Sequence, residues 1–179
     1  MKKLLAAIAV ALISVSLFAV EWNAYGDESN GGNSTAVLSV ADETIGGVAY
    51  KNVASVSGAV TTQYQYGFAC LELQDPAFIE KLKKGSGIRV TYAGDGKSYD
   101  LRLETPSVIK DYAWARFTLV TDKKGAAKTV DLKWNKFKQY EWGTQVKYTP
   151  ADIENISFQT IGQPLASYNL KIISIEVLE

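Results

Sequence analysis

The stretch Gly94-Asp95-Gly96-Lys97-Ser98-Tyr99-Asp100-Leu101-Arg102-Leu103-Glu104-Thr105 decides the fold. Its first four residues read as a tight hairpin turn, since Asp-Gly supplies the positive φ that such a turn needs. The remainder alternates strictly. Tyr99, Leu101 and Leu103 make an apolar row, and Asp100, Arg102 and Glu104 make the opposite, polar row. A period of two belongs to a strand with one face on a core and the other away from it. Outward from this hairpin, segments of similar character recur at 35–40, 48–53, 58–65, 69–73, 87–92, 114–120, 128–133, 155–160 and 168–178, with Gly, Pro, Asp and Asn between them. One short helix is predicted over 77–84, with Asp75 as cap and Pro76 in its first turn. No internal repeat or interdomain linker interrupts the pattern. Many short strands with a single minor helix predict an all-β domain, a β-sandwich or jelly roll.

The alternation also shows what each strand turns away from the core. After the hairpin strand, Ala113, Ala115, Phe117 and Leu119 form the apolar set and leave Tyr112, Trp114, Arg116 and Thr118 opposite. Near the C-terminus, Ser157 and Gln159 alternate with Ile156 and Phe158. If the strands at 98–105 and 114–120 pair, one sheet face carries Arg102 and Glu104 beside Trp114 and Arg116. Aromatic rings stack on the C–H faces of sugars, and planar charged or amide groups make paired hydrogen bonds to hydroxyls. Arg102, Glu104, Trp114, Arg116 and Gln159 are therefore candidate ligand residues. The same residues could equally coat a solvated face with cross-strand ion pairs. Tyr66 is a weaker candidate, because Tyr64, Tyr66 and Phe68 read as three aromatics on one face of a strand, a pattern commoner in a core or at a sheet edge. Trp142 reads as a plug for one end of the sandwich or as the rim of a cleft.

Composition excludes several chemistries. The 179 residues contain no His and one Cys, so there is no His-based triad, no imidazole metal site and no disulfide framework. Nineteen Lys and Arg balance nineteen Asp and Glu, which argues against a binder of nucleic-acid backbone. Cys70, in the apolar run Gly67-Phe68-Ala69-Cys70-Leu71, reads as a buried, inert thiol. Asp27, Glu28, Asn30 and Asn33 offer oxygen ligands to a structural calcium ion, but their spacing matches no EF-hand loop, and a hydrogen-bonded turn is the better reading. No cofactor is called for, and no pair of carboxylates marks a glycoside hydrolase.

The N-terminus reads as a secretory signal peptide over 1–19. Lys2 and Lys3 precede an uncharged run to Phe18 and Ala19, which is shorter than a membrane span needs. The expectation is a periplasmic or secreted domain over 20–179, mildly acidic once two of its nineteen cations are removed.

A family resemblance follows from the order of particular residues. Trp22, Asp27, Gly31-Gly32-Asn33-Ser34, Tyr66-Gly67-Phe68-Ala69, the 94–105 hairpin, Tyr112 with Phe117, Trp142-Gly143, Ile153, Ile156-Ser157-Phe158-Gln159 and the closing Leu170-Lys171-Ile172-Ile173-Ser174-Ile175 follow one another along the chain. In this order the sequence resembles bacterial members of the complex I intermediate-associated protein family. The resemblance implies a galactose-binding-like jelly roll, similar in fold to family 11 carbohydrate-binding modules. It implies no enzymatic activity, and it fixes function poorly, since relatives include a mitochondrial assembly factor as well as sugar-binding modules. Two expectations follow. One is an exported, non-catalytic protein that binds an oligosaccharide or polysaccharide on the polar sheet face. The other is a cell-envelope assembly or structural protein that binds another protein with the same fold.

Overall fold

The computed structural model describes residues 20–106 and 115–179, and within them the chain is a two-sheet antiparallel sandwich. Eleven strands are present among the described residues: β1 (Trp22–Tyr25), β2 (Val37–Ile45), β3 (Val48–Val60), β4 (Cys70–Leu73), β5 (Gly87–Gly94), β6 (Ser98–Glu104), β7 (Ala115–Val120), β8 (Lys128–Lys133), β9 (Lys138–Gln139), β10 (Asn155–Thr160) and β11 (Leu165–Leu178). The first sheet runs β1-β4-β10-β6-β7-β9 and the second β2-β3-β11-β5-β8. No helix among the described residues is long and apolar enough to cross a membrane.

The 94–105 stretch behaves as its alternation requires. Positive φ at its turn is found at Gly96, and Asp95 secures the turn by accepting hydrogen bonds from Lys97 N at 3.2 Å and from the Tyr99 hydroxyl at 2.9 Å. Tyr99, Leu101 and Leu103 are fully buried, packed with Leu71, Leu73, Ile156 and Phe158 from the same sheet. Val56, Ile88, Val90, Leu170 and Ile172 close the core from the second sheet. The helix α1 (Pro76–Leu82) buries Ile79 and Leu82, and the Asp75 side chain caps it by accepting from Phe78 N at 2.9 Å.

Three readings of the sequence are corrected. The segments expected at 48–53 and 58–65 are one strand, β3, which ends at Val60. Gly58 is not punctuation: it lies where the chain passes close to Thr35, whose carbonyl oxygen would stand 2.1 Å from a Cβ. The aromatics Tyr64, Tyr66 and Phe68 lie on the connection between β3 and β4 rather than along a strand. Short β1 and two-residue β9 were not anticipated; both become strands by pairing at the margins of the first sheet, with β4 and β7. The signal-peptide segment 1–19 and Trp114 lie outside the described residues.

Asp27 organises the start of the domain. It is fully buried, and its carboxylate accepts from Ser34 N at 2.8 Å, from the Ser34 hydroxyl at 2.7 Å and from Phe68 N at 3.3 Å. Burial alone would raise its pKa, but these hydrogen bonds outweigh that and hold the carboxyl below its ordinary range. Gly32 is needed beside it, since a Cβ there would meet the Asp27 carboxyl carbon at 2.2 Å. The residues weighed as calcium ligands thus include one whose oxygens are consumed in closing a turn. Among the described residues no group of three or more acidic or Cys side chains is placed to hold a metal.

Candidate functional site

The first sheet turns its polar face outward, and strand register arranges that face in rows. One row reads Tyr25, Cys70, Gln159, Asp100 and Thr118 across β1, β4, β10, β6 and β7. The next reads Asn23, Glu72, Ser157, Arg102, Arg116 and Lys138, reaching β9. With neighbouring strands about 4.8 Å apart, five spacings make a face about 24 Å wide.

Hydrogen bonds fix the side chains in place. Arg102 donates to Gln159 Oε1, and Ser157 donates to Glu104 at 2.6 Å. Asp100, 4% exposed, accepts from the Thr118 hydroxyl at 2.7 Å, from the Tyr140 hydroxyl at 2.7 Å and from Arg116 Nη1 at 3.4 Å. Tyr140 follows β9, and its ring lies over the Arg116 guanidinium at 4.2 Å while stacking on Trp142, with centroids 5.0 Å apart and planes inclined by 19°. Burial raises the Tyr140 pKa, and its hydrogen bond to Asp100 raises it further, so this phenol is a fixed donor. Trp142 is 56% exposed. At the opposite margin Tyr25 packs edge-on against Phe68, and burial together with neighbouring Cys70 raises its pKa. Burial pushes the Cys70 thiol up to about 12, so it is a packed, unreactive group.

Of the residues proposed from sequence, Arg102, Glu104, Arg116 and Gln159 share this face. Tyr66 sits apart on the β3–β4 connection, 67% exposed, with its ring edge-on to Tyr64. Sequence reasoning did not place Tyr25, Tyr140 or the charge of Glu72 on the face, and it left Trp142 between plug and rim. Trp142 is exposed and stacked on Tyr140, which suits a rim.

Charge is unevenly spread. Glu72 lies on β4, its carboxyl raised by burial and, less strongly, by the charge of Glu104. Next to it, an open groove of about 620 Å³ runs between α1 and the start of β10, lined by Glu21, Asp75, Glu80 and Glu154, by Lys83, which pairs with Glu80 at 2.7 Å, and by Leu73 and Ile79. The cations Arg102, Arg116 and Lys138 gather on β6, β7 and β9. Rings at both margins, amides in the middle and fixed donors and acceptors between them can hold an extended polyol chain lying across the strands.

Among solved structures, the family 11 carbohydrate-binding module of a cellulosomal cellulase from Clostridium thermocellum superposes with a TM-score of 0.56 at 14% identity, covering 97% of this chain and 98% of that one. The family 11 module from the same organism in complex with a β-1,3-1,4-mixed-linked tetrasaccharide gives a TM-score of 0.53 at 15% identity, with 93% and 94% covered. At these identities the likeness shows a shared jelly-roll fold. No curated protein sequence matches the chain. The family model for Complex I intermediate-associated protein 30 (CIA30) matches residues 16–172, and with nearly the whole length accounted for, the chain belongs to that family.

Proposed function

We propose that this protein is an exported, non-catalytic carbohydrate-binding domain that holds an oligosaccharide on the outer face of its first sheet. The observation that carries this reading is the cluster of fixed polar groups from two adjacent rows, Gln159 and Asp100 with Arg102 and Arg116, ending at the Tyr140–Trp142 stack. Fixed groups bind with little loss of side-chain entropy, and stacked rings offer a flat apolar surface to sugar C–H groups. The family 11 module solved with a tetrasaccharide supports the reading, since it places a sugar ligand on a domain of this fold. Arg102, Glu104, Arg116 and Gln159 act as hydroxyl partners, with Trp142 and Tyr140 as the platform. Trp114, outside the described residues, stands as the stacking ring proposed from sequence, and Tyr66 as a weaker candidate.

Glycan-array screening followed by affinity electrophoresis tests the proposal. Binding to at least one oligosaccharide class, lost in a Tyr140→Ala, Trp142→Ala double variant that keeps its thermal transition, is expected. Silence across the array, with one stoichiometric protein partner recovered from envelope extracts, would replace it with the protein-binding reading, in which the same exposed rings anchor an interface.

A further inference from the structure

Between β9 and the 3-10 turn at Pro150–Asp152 the chain runs through residues 140–149 without regular structure, and this stretch carries the rings at the margin of the face. Rings on an irregular connection add to affinity only if they are held, because a side chain ordered at the moment of binding gives back part of the contact energy. Here side chains hold them. Gln139, the last residue of β9, donates from Nε2 to the Val146 carbonyl oxygen at 2.8 Å and accepts at Oε1 from Val146 N at 3.0 Å. One amide group thus meets both backbone groups of one residue, the pairing that a neighbouring strand would make. The backbone of Gln139 lies opposite Ala115 of β7, so Val146 is tied through it to the first sheet.

The stretch from 139 to 146 closes on itself. Across it, Gln145 Nε2 donates to the Tyr140 carbonyl oxygen at 2.7 Å, and Gly143, at φ 87°, lets the chain reverse between them. Compact surface loops of this kind are packed by their own side chains. Further on, half-buried Tyr148 packs against the core, and Thr149 Oγ1 donates to Asp152 Oδ2 at 3.0 Å. Tyr140 and Trp142 both rise from the closed part. Asp100 fixes the hydroxyl end of the Tyr140 ring, Trp142 stacks on that ring, and the Gln139–Val146 pair fixes the backbone from which both project. Gln139 is half-buried and Gln145 is exposed, so the pair at the base of the loop is the better shielded from competing water.

We propose that Gln139 is a positioning residue for ligand binding: by pairing with Val146 it keeps the 139–146 loop closed in the free protein, so that the Tyr140–Trp142 stack stands in its binding arrangement before a sugar arrives. This rests on the carbohydrate-binding reading and adds what sets the affinity of that site. Gln139 acts through the stack, and a loop closed for only part of the time weakens binding in proportion to the closed fraction.

The test uses two variants of the domain over 20–179. Gln139→Leu fills the space of the amide without its hydrogen bonds, and Gln139→Glu keeps an acceptor for Val146 N at neutral pH but has no donor for the Val146 carbonyl. Without ligand, backbone amide relaxation reads the loop directly. Order parameters of the Trp142 and Val146 amides should lie near about 0.85 in the wild-type protein and fall below about 0.6 in Gln139→Leu, with the amides of β6 and β10 unchanged. On an oligosaccharide identified by the array, Gln139→Leu should weaken binding about tenfold, the worth of one to two net hydrogen bonds, and Gln139→Glu should fall between it and the wild type. Should Gln139→Leu lose its cooperative thermal transition, Gln139→Glu carries the same two measurements. A residue that acts through the stack has little left to do once the stack is broken. Added to Trp142→Ala, Gln139→Leu should therefore change affinity by no more than about twofold. Loop amides that stay ordered in Gln139→Leu, or an affinity loss as large in the Trp142→Ala background as in the wild type, overturn the positioning role and leave the carbohydrate reading standing. An array silent for the wild-type protein overturns the carbohydrate reading and with it the ligand role of Gln139, while the order parameters still decide whether its amide closes the loop.

Discussion

Replacing Asp27 with Asn tests whether one buried carboxylate holds the N-terminal turn and the β3–β4 connection together. Both carboxylate oxygens are used: Oδ1 accepts from Ser34 N, and Oδ2 accepts from the Ser34 hydroxyl and Phe68 N. An amide of the same size keeps one acceptor and turns an NH2 toward donors on the other side. The substitution therefore fills the same space, removes a charge from charge-assisted hydrogen bonds, and leaves at least one buried donor unsatisfied. Each such loss costs about 1–3 kcal/mol, and we expect about 2–4 kcal/mol in total. Against a native stability of about 5–15 kcal/mol this is a large fraction. In urea, with a slope of about 2 kcal/mol/M, the unfolding midpoint should fall by about 1–2 M with the slope unchanged. The pH dependence has a definite sign. Because the folded carboxyl lies below its unfolded value of about 3.9, Asp27 contributes its stability fully above that pH, and the contribution is lost as pH falls through the folded value. The deficit of Asp27→Asn relative to wild type should thus be full at neutral pH and shrink below about pH 4. A midpoint shift equivalent to less than about 0.5 kcal/mol, the size of an ordinary surface substitution, would refute the reasoning.

Three further outcomes follow from the same geometry. Gly32→Ala should destabilise the domain by an amount comparable to Asp27→Asn, because the new methyl must displace the Asp27 carboxyl, and the two substitutions combined should cost less than their sum in denaturant titrations. The Cys70 thiol, buried and raised to about 12, should resist a thiol reagent at pH 8 in the native protein and react fully in denaturant, and rapid native labelling would contradict its packing. Leu101→Ala, in the centre of the shared core, should cost about 2–5 kcal/mol, measured as a fall in the thermal or urea midpoint.

Much of this architecture was legible from alternation. The 98–104 strand, with its punctuation and period of two, showed its own two faces, and the same alternation at 115–119 and 156–159 turned Arg116 and Gln159 away from the core; that they meet Arg102 and Glu104 on one face depends on the pairing of β10, β6 and β7. Strands 128–133 and 155–160 were readable to the residue for the same reason. What escaped depends on long-range contact. Tyr25 joins the face because β1 pairs with β4, and Tyr140 because two residues of β9 pair with β7; neither segment is long enough to show a period. Gly58 misled because a glycine required by close approach of Thr35 looks, in sequence, like a glycine required by a turn. Tyr66 misled in the opposite way, since alternating aromatics suggested a strand where the chain makes a connection. The row of three cations was invisible without register, because its members come from three separate strands.

The most direct test of the central claim is an amide chemical-shift titration of the isotope-labelled domain with an oligosaccharide identified on the array. Shifts concentrated on the outward residues of β4, β10, β6 and β7 and on Tyr140 to Trp142, with the second sheet silent, are the predicted result. Shifts confined to the outer face of the second sheet, or to the loops at one end of the sandwich, would contradict it.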